Sequence, residues 1–175
     1  LNYGISGTRI ARQKVVTEDL FDRDFNMRVE EMDASADVVV VFGGTNDFGH
    51  GDAPIGKFTD NTVYTFYGAL HVLYRQLLER FPEKDIIVLT PLHRLSENVT
   101  INERGIPCEP LKKYVEAIRE VAEYYSLPVL DLWKMSGMQP SVDVIREKYM
   151  PDGLHPSDLG AAKIADKLRD FLISL

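Results

Sequence analysis

Short apolar runs alternate with longer amphipathic stretches along this chain, and that alternation limits its fold more than any other feature. Residues 36–42 are rich in β-branched side chains and stop at Gly43-Gly44. Residues 85–90 form a second run, stopped by Pro91, and residues 127–132 a third, shorter one. Continuous apolar runs of this length suit strands covered on both faces, as in a parallel sheet. Between them the period changes. Residues 62–81 place Val63, Phe66, Tyr67, Leu70, Leu73, Tyr74, Leu77 and Leu78 at spacings of three and four. Residues 110–125 repeat the pattern, and residues 157–175 close the chain with it, Ser157 standing as a good N-cap. Strand, helix, strand, helix at this spacing predicts one three-layer α/β/α domain over residues 1–175. Residues 44–60, rich in Gly, Asp, Asn and Pro, read as a loop.

Composition narrows the function. Twenty Lys and Arg against 27 Asp and Glu leave a net charge of −7. Such a chain repels phosphate backbones, so nucleic acid is not an expected partner. The longest apolar runs are too short to span a bilayer. The single cysteine, Cys108, cannot form an internal disulfide, which favours a reducing, cytoplasmic setting. The chain opens at Leu1 without a methionine, so secretion stays open. Cys108 lies beside Glu109, which raises a thiol pKa and argues against a reactive role. The four histidines are scattered and no His-Glu-x-x-His occurs, so neither a metal nor another cofactor is expected. A flavodoxin-like phosphate or nucleotide binder is a third reading of the same architecture, against which stands the absence of any Gly-x-Gly-x-x-Gly or Walker pattern. His71 reads as a packing or surface histidine, and Trp133, Tyr124 and Tyr125 as core or near-core aromatics.

In open α/β sheets, sites lie beyond the carboxyl ends of the strands. Three segments there carry chemistry. Asp152 stands three residues before His155 in a Gly/Pro loop ahead of the last helix. An aspartate accepting from one imidazole nitrogen fixes the tautomer and frees the other nitrogen to take a proton. Pro151-Asp152-Gly153 is equally a common turn sequence. Gly43-Gly44-Thr45-Asn46-Asp47 follows the first run, and Asn46 can present an amide donor to a developing oxyanion. The alternative there is an Asx turn, Asn46 and Asp47 bonding their own backbone. Residues 2–9 resemble a strand end turning into a helix, with Gly7 able to aim a backbone N–H outward. Gly4-Ile5-Ser6-Gly7 approaches the nucleophile elbow Gly-x-Ser-x-Gly, but Thr8 stands where the second glycine is required.

Together these segments resemble the SGNH hydrolase family, also called GDSL-type esterases and lipases. That family has four blocks: Gly-Asp-Ser with the nucleophile; a block near Asn-x-Gly-x-Ser-Gly; Gly-x-Asn-Asp; and Asp-x-x-His. Residues 2–7 match the second block, residues 44–47 the third and residues 152–155 the last, in order and across almost the whole chain. The resemblance implies a flavodoxin-like parallel sheet. It implies His155 as general base, Asp152 as its orienting acid, and Gly7 and Asn46 as oxyanion donors. The first block is absent: none of the chain's serines follows Gly-Asp. In the family that block is also the first strand, lying centrally in the sheet. The expectation is therefore that Leu1 is not the biological start and that a strand bearing Gly-Asp-Ser precedes it. The chain as given would then be inactive.

The implied activity is hydrolysis of small acyl esters, such as acetyl, on polar alcohols such as carbohydrates. Arg9, His50, Asp52, His93 and Arg94 follow the relevant runs and offer a polar rim for such a substrate. They can equally serve as loop contacts. A non-catalytic, acyl- or carbohydrate-binding member of the same fold is the alternative, since the nucleophile is missing. Retention of Asn46, Asp152 and His155 together favours the enzyme. The sequence carries no signal for oligomeric state.

Overall fold

The computed structural model describes residues 1–16 and 20–175. Three parallel strands form its sheet, in the order β1-β2-β3: β1 is Val38–Phe42, β2 Asp85–Leu89 and β3 Val129–Leu130. Val38 pairs with Asp85 and Phe42 with Leu89, so β1 and β2 end together. β3 is short because Pro128 cannot donate into a ladder and Asp131 turns at once to cap the next helix. Seven α-helices accompany the sheet among the described residues. They are α1 (Phe25–Arg28), α2 (Thr45–His50), α3 (Phe66–Arg80), α4 (Leu111–Tyr124), α5 (Leu132–Met135), α6 (Asp143–Tyr149) and α7 (Asp158–Ser174). Parallel strands joined through α3 and α4, with α7 on the opposite face, make the expected three-layer α/β/α arrangement.

The two faces hold separate cores. On one, Val39, Val41, Ile86 and Val88 meet the apolar stripes of α3 and α4, including Leu70, Leu73, Leu77, Leu111, Ile118 and Val121. On the other, Ile87, Leu89 and Leu130 pack with Met138 and Met150, against which α7 lays Ile164, Leu168, Phe171 and Leu172. Burial of each such side chain contributes about 1.5–3 kcal/mol. The long helices start where the sequence says they can. Thr65 accepts from the Gly68 N–H (3.1 Å) to open α3, four residues later than the periodicity alone suggests. Ser157 accepts from the Gly160 N–H (3.3 Å) to open α7.

Three expectations need correcting. β1 is not covered on both faces: Val39 and Val41 are buried, whereas Val38, Val40 and Phe42 are 39%, 41% and 43% exposed. Among the described residues β1 pairs only with β2, which leaves its outer edge without a strand partner there. Residues 44–60 are not all loop, because α2 begins at Thr45. Gly44 permits it by adopting φ +104°, where a Cβ would stand 3.0 Å from Ile118 Cδ1. Tyr124 is exposed rather than near-core, while Tyr125 and Trp133 are half-buried. His71 is buried among the rings of Phe58, Tyr124 and Tyr125, a packing histidine as read. Among the described residues no helix is long and apolar enough to cross a membrane.

Candidate active site

A cavity of about 440 Å³ opens beyond the carboxyl end of β1, at the size usual for small-molecule sites. Gly7, Asn46 and His155 all line it, although 148 residues separate the first from the last in sequence. The matched segments therefore meet at one rim.

The acid–base side is built locally. His155 Nδ1 lies 2.7 Å from Asp152 Oδ2, while Asp152 Oδ1 accepts from the backbone N–H groups of Leu154 (2.9 Å) and His155 (2.7 Å). Gly153 N–H also donates to the Met150 carbonyl at 2.7 Å, so the turn and the acid–histidine pair coexist. The ring hydrogen bond from His155, with the two backbone donors, holds the Asp152 carboxyl down at about 2. A carboxylate on Nδ1 leaves Nε2 as the proton acceptor. Both side chains are open to solvent, His155 76% and Asp152 53% exposed.

The oxyanion side is built from long-range contacts. Gly7 sits in a tight turn at φ +77°, a conformation that favours glycine. Among the described residues no protein acceptor takes its N–H. The Asn46 amide donates one hydrogen to the Thr8 carbonyl (3.0 Å), leaving its second for the cavity. Asp47 does not form an Asx turn. It reaches across to the segment after Gly7, accepting from the N–H groups of Ile10 (3.0 Å) and Ala11 (2.8 Å). It is 3% exposed, and burial pushes its carboxyl up to about 7 against the pull of those two donors and of Arg9. Asn26 donates to the Ile10 carbonyl (3.0 Å), and Arg28 donates to Thr8 Oγ1 (2.9 Å) and to the Tyr3 carbonyl. Asp47, Asn26 and Arg28 thus fasten the strip that carries Gly7. Asp47 could have been suspected from its place beside Asn46; no local pattern marks Asn26 or Arg28.

The five rim residues separate. His93 lines the cavity. Arg9 does not; it is buried, paired with Asp22, and donates to the Gly7 carbonyl at 3.0 Å, so it steadies the turn from behind. Arg9 and His50 face a neighbouring cleft of about 390 Å³ that shares only Gly7 with the cavity. Burial, and then the charge of Arg9, lower the His50 pKa. Asp52 holds the preceding loop instead, accepting from the N–H groups of Lys14 (2.7 Å) and Val15 (2.9 Å). Arg94 is buried over the Phe48 ring and paired with Glu103. Polar groups following a strand were expected at the rim; ion pairing and backbone contacts draw Arg9, Asp52 and Arg94 away, and His50 faces the second cleft. The Cys108 thiol is pushed up by burial and then by Glu109. Among the described residues no cluster of three or more His, Cys, Asp or Glu could hold a metal ion.

An acid–histidine turn and an amide donor thus stand together at the carboxyl edge of a three-layer parallel fold. The profile of the GDSL-like lipase/acylhydrolase family matches residues 1–163. The chain belongs to that family. A crystal structure of a Lactobacillus plantarum protein is 31% identical, with a TM-score of 0.83, covering 99% of this chain and 80% of that one. A lipase/acylhydrolase from Enterococcus faecalis is 26% identical, with a TM-score of 0.51, over 75% of this chain and 58% of that one. An acetyl xylan esterase shares the fold at 22% identity, with a TM-score of 0.62, over 95% of this chain and 77% of that one. No curated protein matches significantly.

Proposed function

We propose that these residues are the acid–base and oxyanion parts of a serine ester hydrolase acting on small acyl esters of polar alcohols. The observation that carries this reading is the shared cavity of Gly7, Asn46 and His155, with Asp152 on His155 Nδ1. A serine on a strand beside β1, outside these 175 residues, supplies the nucleophile. The free edge of β1 and the exposed Val38, Val40 and Phe42 support that placement, because such a strand would cover them. Phe42 also lines the cavity, so a strand there would end at the rim.

The serine Oγ attacks the ester carbonyl carbon as His155 Nε2 takes the hydroxyl proton. The tetrahedral oxyanion is met by the Gly7 N–H and the Asn46 amide. His155 returns its proton to the alcohol as the C–O bond breaks. A water then repeats the sequence on the acyl-enzyme, releasing the carboxylic acid and restoring the serine. The polar alcohol is supported by the imidazole and amide lining; the small acyl group is suggested by the acetyl xylan esterase of similar fold.

Ser6 also lines the cavity, which keeps a second nucleophile in play. Labelling the full gene product with a serine-directed phosphonate, followed by peptide mapping, decides between them. A label on a Gly-Asp-Ser peptide outside residues 1–175 is expected. A label on Ser6 would relocate the nucleophile. No label and no hydrolysis of p-nitrophenyl acetate would favour the non-catalytic binder.

A further inference from the structure

A second imidazole shares the cavity with His155. His93 follows β2 and is held on two sides. Its ring lies over Trp133 with centroids 3.8 Å apart and planes 33° apart. Its Nδ1 is 2.9 Å from Glu97 Oε2, and the same oxygen accepts the Arg94 N–H at 3.1 Å. The His93 and Glu97 side chains are only 20% and 15% exposed. Nδ1–H donating to a fixed carboxylate makes Nε2 of the neutral ring an acceptor. Nε2 has no protein partner among the described residues, and it is not sealed in the interior. An imidazole stacked and oriented in this way, with a lone pair left over at a cavity wall, is suited to read a hydroxyl group.

The placement of His93 says which half of the ester it reads. Leu95 N–H donates to the Gly153 carbonyl at 3.0 Å, so the His93 segment is tied to the loop that carries Asp152 and His155. His155 must reach the leaving-alcohol oxygen to protonate it. A residue fastened to the same loop lies on the alcohol side.

Building on the ester-hydrolase reading, we infer that His93 Nε2 accepts a hydrogen bond from a second hydroxyl of the alcohol, so that the site selects esters of polyols such as sugars over esters of simple phenols. Glu97 and Trp133 are positioning residues for that contact. An acceptor nitrogen offers nothing to a carboxylate or phosphate, which separates this site from one for anionic alcohols.

Two measurements on the full gene product test the inference. The first compares an acetylated methyl xyloside with p-nitrophenyl acetate, whose alcohol has no second hydroxyl. His93→Gln should lower kcat/KM about tenfold on the xyloside, mainly through KM, and leave p-nitrophenyl acetate within about twofold. Equal losses on both esters, or no loss on the xyloside, would overturn the assignment. The second needs no turnover, so it stands even if the hydrolase reading fails. Side-chain ¹⁵N NMR should show His93 protonated on Nδ1, with the Nε2 signal moving as methyl xyloside is titrated. Glu97→Gln should weaken that response. A His93 signal indifferent to the sugar, or one protonated on Nε2 in the unmodified protein, would contradict the role.

Discussion

The two sides of the cavity are built on opposite plans. Asp152 and His155 are three residues apart, joined by bonds that never leave their own turn, and open to solvent. Gly7 and Asn46 are 39 residues apart and depend on partners from α1 and α2, most of them buried. The difference follows from what each side has to do. A proton carrier needs one good orienting bond and room to turn between nucleophile and leaving group. Oxyanion donors act by being in place before charge develops, so they need a rigid mounting.

That contrast predicts which substitutions damage chemistry and which damage the fold. The largest effect belongs to His155→Ala in the full gene product. It should cut kcat on p-nitrophenyl acetate by about 10⁴-fold or more, as for removal of a base that works as part of a unit. Its melting temperature should stay nearly unchanged, because the pair it breaks is exposed. A large thermal loss would show that the exposed turn is also a structural support. Asn46→Ala should lower kcat by ~10²–10³ with little change in KM. Turnover within twofold of the unmodified enzyme would remove Asn46 from the oxyanion site.

Asp47→Ala should do the reverse, acting first on stability. It strands two buried N–H groups, for a loss of about 2–5 kcal/mol in urea unfolding. A loss under 1 kcal/mol would mean that the strip after Gly7 is held mainly by Asn26 and Arg28. Asp47 also sets a pH dependence. Its folded value of about 7 lies above the ordinary 3.8, so its contribution is fully present below pH 3.8 and is lost as pH rises through 7. Unfolding free energy should therefore fall between pH 5 and pH 8, by on the order of 2 kcal/mol, and Asp47→Asn should flatten the slope. The smallest effect on stability is at Asp152. Its folded value of about 2 lies below 3.8, so its contribution is present above pH 3.8 and fades as pH falls toward 2. In unfolding experiments Asp152→Asn should remove only that low-pH slope.

The same contrast explains how much could be read from the chain itself. An Asp-x-x-His turn is local, so its four residues announce it. The strands and long helices are also legible, because burial imposes periods of two or 3.6 on neighbouring residues. Asp47 looked like a turn former because its donors, the N–H groups of Ile10 and Ala11, lie 36–37 residues away. Arg9 and Arg94 looked like substrate cations because a charge after a strand gives no hint of a buried carboxylate or an aromatic face waiting for it. β1 looked doubly covered because its composition records a buried environment, whereas here Val38, Val40 and Phe42 stay about two-fifths exposed.

The most direct test is a crystal structure of the full gene product carrying a phosphonate adduct. One phosphonyl oxygen should lie within hydrogen-bond distance of both Gly7 N and Asn46 Nδ2. His155 Nε2 should face the modified serine Oγ, on a strand paired with the outer edge of β1. An adduct oxygen turned away from Gly7 and Asn46, or a modified serine out of reach of His155, would contradict the account.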